Sequence, residues 1–113
     1  MFVKLPAPGL VKTRLASRIG AEQAAELSAA FISEAIERFR TTGGRRLLCY
    51  APGTDPAREY FSRIGGTEFD LWPQPGGDLG ARLARFFAEF LHGPDDRVVV
   101  IGSDSPTLPQ EYV

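Results

Sequence analysis

Three stretches of this sequence gather residues able to hold a phosphorylated ligand. The first, "KLPAPGLVKTRL" at residues 4–15, combines Lys4, Lys12 and Arg14 with Pro8, Gly9 and Thr13. Gly9 permits positive φ, so its neighbours' N–H groups can turn toward an anion. A lysine supplies a point charge, an arginine a two-pronged contact with phosphate oxygens, and Thr13 a hydroxyl donor. The second, "PQPGGDLGARL" at residues 73–83, holds Gln74, Gly77, Asp78, Gly80 and Arg82. Its glycines let backbone approach a ligand, Gln74 has an amide suited to a base or sugar edge, and Arg82 adds charge one turn into a helix that Asp78 can cap. The third, "GSDSPTLP" at residues 102–109, places Asp104 between Ser103 and Ser105. A lone carboxylate can bind Mg²⁺ or Mn²⁺ when water and phosphate complete the shell.

Each stretch also has a plainer reading. Lys12 and Arg14 fit a solvated basic turn as well as a phosphate loop, which lacks the GxxxxGK[ST] pattern of a Walker A loop. Asp78 fits a helix cap, and Asp104 fits the cap of a turn before Pro106. What separates these readings is where the stretches fall in the fold.

The elements that must position them alternate. "MFVK" (residues 1–4) reads as a short first strand. Residues 21–40 form an amphipathic helix with Leu27, Phe31, Ala35 and Phe39 at four-residue spacing, ended by Gly43-Gly44. "LLCYA" (47–51) is a short apolar run between turn residues, expected as a buried strand. Asp55 as N-cap and Pro56 at the first helical position predict a helix over 56–64, stopped by Gly65-Gly66. "TEFDLW" (67–72) is a further strand. A third helix follows Asp78, with Leu79, Leu83, Phe86, Phe87, Phe90 and Leu91 on its apolar face. "RVVVIG" (97–102) is β-branched and continuous, as in strands buried on both faces.

This order predicts an α/β fold, a three-layer α/β/α sandwich with a mainly parallel, Rossmann-like sheet and right-handed crossovers. In such sheets ligands bind beyond the carboxyl ends of the strands, and all three stretches follow a strand. Residues 1–113 read as one domain, expected to be the N-terminal part of a longer fold because "LPQEYV" starts a helical turn that does not continue.

Composition narrows the class. The chain has 113 residues, 43% hydrophobic and 24% charged, with a formal net charge of −1, which argues against a general nucleic-acid binder. Positive charge is concentrated locally: residues 1–18 hold Lys4, Lys12, Arg14 and Arg18 and no acid. One cysteine, Cys49, excludes an internal disulfide and suits a reducing cytoplasm. No apolar run approaches a membrane span. Trp72 and the phenylalanines are expected in the core, and Arg45-Arg46 at a solvated strand entry.

Together, in order and spacing, the three stretches resemble motifs of small bacterial glycosyltransferase-like proteins. That family belongs to the GT-A nucleotide-diphospho-sugar transferase superfamily, in its radical-SAM/selenodomain-associated type. Its members read K-x-P-x-P-G-x-V-K-T-R-L, then Q-x-x-G-D-L-G-x-R, then a G-S-D-C-P-D-L-like strand end. The resemblance implies a metal-dependent transferase that binds a nucleotide-sugar or nucleotide. Lys4, Pro8, Gly9, Lys12, Thr13 and Arg14 would line the phosphates; Gln74, Gly77, Asp78, Gly80, Arg82 and Ser103 would flank the nucleotide; Asp104 would hold Mg²⁺ or Mn²⁺. It assigns no catalytic residue. Two departures stand out: Ser105 leaves no D-x-D pair, and Thr107 occupies a position where the family often has aspartate. Family members are longer, so turnover is not expected of these 113 residues alone. The alternatives are a nucleotidyltransferase (guanylyltransferase-like, releasing pyrophosphate) and a non-catalytic nucleotide-binding module. A sheet edge left open would favour pairing with a second copy as a homodimer.

Overall fold

The run Leu47–Ala51 forms the middle strand, β2, of a three-stranded parallel sheet in a computed structural model that describes residues 1–9 and 13–103. The sheet order is β1 (Phe2–Lys4), β2, β3 (Asp70–Pro73). Register pairs Phe2 with Cys49 and Cys49 with Trp72, and pairs Val3 with Tyr50 and Leu48 with Leu71. Side chains alternate between faces along a strand, so Phe2, Cys49 and Trp72 share one face and Val3, Leu48, Tyr50 and Leu71 the other.

Three helices link β1 to β2 and β2 to β3: α1 (Thr13–Ile19), α2 (Ala21–Phe39) and α3 (Asp55–Gly65). α2 and α3 bury Ile32, Ile36, Ala57 and Phe61 against Val3, Leu48 and Tyr50, with Phe69 in the same cluster. A fourth helix, α4 (Leu79–Phe90), covers the opposite face. Its Phe86 meets Phe2 and Trp72 edge-on, with ring centroids 5.7 and 5.3 Å apart. Helices on both faces of a parallel sheet give the three-layer α/β/α arrangement expected from the alternation.

Local chemistry explains the boundaries. α3 is capped by Thr54, whose hydroxyl accepts from the Ala57 N–H at 3.4 Å, so the cap lies one residue before the expected Asp55 and the proline occupies the second helical position. At its end, Gly66 adopts φ +62° and donates to the Ser62 carbonyl. Gly65 has a different reason to be glycine, since a Cβ there would stand 2.9 Å from a Leu48 methyl. The helix α1 was not expected; residues 13–19 read as part of a basic loop. Gly20, at φ +94°, separates it from α2.

The most strand-like segment of the sequence departs from expectation. Residues 97–101 carry no strand, and Val99 is 56% exposed. A single parallel bridge joins Phe2 to Gly102, and the Phe2 N–H donates to the Ile101 carbonyl at 2.9 Å. That register sets Ile101 opposite Met1, so among the described residues nothing lies opposite residues 97–100. β-branching favours extended chain, but a ladder needs a partner. The position of Gly102 nonetheless brings the chain back beside β1, on the side away from β2.

Two further expectations change. Leu79 and Leu91 of the amphipathic pattern are exposed, at 61% and 40%, and Trp72 is only half-buried, its indole N–H donating to Glu89 at 2.8 Å. Arg46 is no solvated entry residue: its guanidinium donates to the carbonyls of Glu68, Thr42, Gly43 and Gly44 and ties the turn after α2 to the approach of β3. On β3, the outer strand of the described sheet, Pro73 has no N–H and Asp70 carries a charge, paired at 2.9 Å with Arg45 on the β2 side, features that disfavour strand addition there.

Candidate functional site

The carboxyl ends of β1, β2 and β3 open on one side of the sheet, and the segments leaving them line a cleft of about 380 Å³. Its walls are Lys4, Ala51, Pro52, Gly53, Gln74, Pro75, Gly76 and Arg82. These residues carry two cations and no carboxylate, a balance suited to an anionic ligand.

Each wall is held by backbone bonds that continue the strands. The Leu5 N–H donates to the Ala51 carbonyl at 2.7 Å and the Gln74 N–H to the Tyr50 carbonyl at 2.8 Å. Lys4 is exposed where β1 ends. Gly77 turns the chain into α4 at φ +101°, a conformation that favours glycine. Asp78 is the N-cap, its Oδ1 accepting from the Ala81 N–H at 2.8 Å, while its carbonyl takes the Arg82 N–H. The Leu79 and Gly80 N–H groups, first in the helix, have no intrahelical acceptor.

Gln74 is the centre of this arrangement. Its Nε2 donates to the carbonyls of Val3 at 3.2 Å and Cys49 at 2.7 Å, bridging β1 and β2. Its Oε1 accepts from Arg82 Nη1 at 3.1 Å. Arg82 also donates through Nε to the Gly77 carbonyl at 2.9 Å. Sequence reasoning gave Gln74 the edge of a base or sugar to read, but both its amide hydrogens are engaged by protein carbonyls.

Of the residues expected at the site, Lys4, Gln74 and Arg82 meet at the cleft. Gly77, Asp78 and Gly80 do not line it: the Gly77 carbonyl accepts from Arg82, Asp78 caps α4, and Gly80 follows in its first turn. Pro8 and Gly9 lie on the exposed loop after β1, Gly9 at φ +84° as anticipated. Thr13 and Arg14 open α1. Ser103 is half-buried just after the bridge to β1. Lys12 and Asp104 lie outside the described residues. In the sequence the Pro52-Gly53 pair reads only as the turn that ends β2, and its place in the cleft wall was not anticipated.

Elsewhere the titratable groups point to structure. Cys49, buried in β2, has its thiol pushed up to about 11, mainly by burial. Asp96 accepts from the His92 and Gly93 N–H groups at 2.8 and 2.9 Å, which holds its carboxyl below the usual range and closes the turn after α4. Among the described residues, no three His, Cys, Asp or Glu side chains cluster as metal ligands. No helix among them is long and apolar enough to cross a membrane.

This geometry has a close counterpart. A crystal structure described as a "putative nucleotide-diphospho-sugar transferase" from Desulfovibrio desulfuricans G20 superposes with a TM-score of 0.87 at 35% sequence identity. The match covers 98% of this chain and 48% of that one, so the chain spans about half the neighbour's length. No curated protein has significant sequence similarity to the chain. Residues 35–113, which include the Gln74–Arg82 stretch, match a family model, and the chain belongs to that family, described as "Uncharacterized protein conserved in bacteria (DUF2064)".

Proposed function

We propose that the chain is the nucleotide-binding part of a GT-A-type glycosyltransferase, with the diphosphate of a nucleotide-diphospho-sugar in the Lys4–Arg82 cleft. The observation that carries this reading is a cleft at the strand carboxyl ends whose walls, among the described residues, hold two cations and no acid. The Desulfovibrio neighbour's description supports it.

In glycosyl transfer the bond between the sugar's anomeric carbon and the diphosphate breaks, and the nucleoside diphosphate leaves with the electron pair. The acceptor oxygen bonds to the sugar and gives up its proton. Negative charge grows on the departing phosphate, where Lys4 supplies a point charge and Arg82 a planar donor fork. A divalent cation would neutralise the same oxygens when bound. Asp104 is its proposed protein ligand, and one carboxylate suffices for Mg²⁺ where phosphate and water complete the shell. Asp78 engages one carboxylate oxygen in the cap of α4. A nucleotide-sugar donor and a free thiol at Cys49 both fit a cytoplasmic protein.

Calorimetric titration of the full-length protein with UDP-glucose and GDP-mannose in the presence of Mn²⁺ tests the reading. Binding is expected to weaken roughly 10- to 100-fold in Arg82→Ala, the worth of a charged hydrogen bond. Absence of binding to either nucleotide-sugar would sink the proposal. Release of pyrophosphate from a nucleoside triphosphate would replace it with nucleotidyl transfer.

A further inference from the structure

The stretch from Gln74 to Arg82 forms a closed loop of hydrogen bonds as well as a sequence motif. Gln74 Oε1 receives Arg82 Nη1, Arg82 Nε reaches the Gly77 carbonyl, and Asp78 caps the helix that carries Arg82. We infer that Gln74 is a positioning residue: it braces the ends of β1 and β2 and, from that brace, fixes the guanidinium of Arg82 in the cleft.

Three features support this. First, the amide's orientation is forced by its surroundings. Two carbonyls, Val3 and Cys49, face one end of the amide and admit only a donor, and one guanidinium needs an acceptor; flipping the amide would break all three bonds. Second, an arginine has five N–H donors. Arg82 uses one at Nε and one at Nη1, leaving three without an acceptor among the described residues. Two anchors on one planar group remove most of its rotational freedom, so the remaining donors are presented to a ligand at low entropic cost. Third, the anchors come from separate pieces of backbone. Gln74 is tied to β1, β2 and β3 at once, and Gly77 reaches its carbonyl back to Nε from a positive-φ turn. Arg82 therefore takes its position from the sheet as well as from α4.

The inference rests on the proposed nucleotide-sugar site for its consequence in binding, but its first readout needs no ligand. In ¹⁵N spectra of the full-length protein, the Arg82 Nε–H resonance is expected to be dispersed and slow to exchange, with Arg82→Lys giving its assignment. Gln74→Met, which takes away both the acceptor for Nη1 and the donor to the two carbonyls, is expected to collapse it toward the position of a solvated arginine. An unchanged Arg82 resonance in a folded Gln74→Met protein would overturn the inference. The second readout is a double-mutant cycle in the affinity for UDP-glucose and GDP-mannose with Mn²⁺. Gln74→Met is expected to weaken binding about tenfold when Arg82 is present and to change it little in an Arg82→Ala background. Equal losses in both backgrounds would mean that Gln74 acts on the ligand or the fold directly, and would refute positioning. If Gln74→Met does not fold, Gln74→Asn replaces it in the same cycle, because an amide one methylene shorter cannot hold the two carbonyls and Nη1 together. Its binding loss must again depend on Arg82, and an equal loss in the Arg82→Ala background would refute positioning. Failure of the wild-type protein to bind either probe would remove the proposed function and leave the resonance test standing.

Discussion

On one face of the sheet, two helices close over Val3, Leu48 and Tyr50 with Ile32, Ile36 and Phe61, and several of these side chains are wholly inaccessible. On the other, which holds Phe2, Cys49 and Trp72, α4 is the one helix among the described residues, its Phe86 meeting Phe2 and Trp72, its Phe90 meeting Trp72, and Phe87 packing on Phe86. In α4 only Phe86 is buried, at 3% exposed, and its ring neighbours Phe87 and Phe90 remain half-buried. Aliphatic side chains fill a space enclosed by two helices; a single helix spans its face with large rings in edge-to-face contact. The thinner face is also the one joined to the cleft. Phe86 lies one helical turn beyond Arg82, so the rings that dock α4 on the sheet also set where the guanidinium stands. One face mainly provides stability, and the other couples stability to the candidate site.

The largest expected effects separate the two faces directly. Phe61→Ala, at a site with no accessible surface, is expected to cost about 3–5 kcal/mol, and Phe86→Ala to fall at or below the lower end of that range because half-exposed rings can relax into the gap. Urea denaturation measures both. The sharper observable is the Arg82 Nε–H resonance, expected to move in Phe86→Ala and to hold its position in native Phe61→Ala. Equal disturbance of Arg82 by both variants would break the distinction between the faces.

Most of this architecture is legible in the sequence, for reasons that differ by element. α2 and β2 follow from patterns that are strong within one segment: a long four-residue apolar spacing, and an apolar run between turn residues. α4 follows from Asp78 and its aromatic stripe, although the stripe overstates burial, because one helix packs only part of its apolar arc on a small sheet. Residues 97–101 mislead because strand formation depends on what lies opposite, and the Phe2–Gly102 register leaves most of them unpaired. α1 hides behind prolines, Gly9 and basic residues that read as loop. At the site, charge singled out Lys4 and Arg82, which the fold sets beside a common cleft. The role of Gln74 was not legible, since its three partners come from carbonyls at positions 3 and 49 and from Arg82, and only the folded sheet brings them together.

Both faces hold ionisable groups, Tyr50 and Tyr60 on the two-helix face and Cys49 on the α4 face, and a cysteine substitution isolates the second. Burial, with a smaller contribution from Glu89, pushes the Cys49 thiol from an ordinary value near 9.0 up to about 11. Between these values the unfolded chain has released the proton and the folded chain still holds it, so stability falls as pH rises through the window. Two units correspond to at most about 2–3 kcal/mol. Urea midpoints at pH 8 and pH 10.5 are expected to differ by less in Cys49→Ala than in the wild type, because tyrosine titration is common to both. An identical alkaline loss in the two proteins would show that the α4 face admits solvent to β2.

The smallest effect concerns how the two kinds of helix begin. Asp78 caps α4 with a bond of 2.8 Å, whereas Thr54 caps α3 at 3.4 Å, a long and weaker contact. Asp78→Ala is therefore expected to cost about 1 kcal/mol and Thr54→Ala about 0.5 kcal/mol, with Asp78→Asn close to neutral because an amide oxygen caps equally well. Thermal unfolding ranks the three. The consequence for the site is again asymmetric. α3 is pinned along its length by Ala57 and Phe61, so a frayed first turn disturbs nothing beyond itself. In α4 the first turn carries Arg82, and its nearest buried anchor, Phe86, lies a full turn later. Asp78→Ala is expected to broaden the Arg82 resonance despite its small energetic cost; a sharp, unmoved signal would show that Gln74 and Gly77 hold the guanidinium without help from the helix.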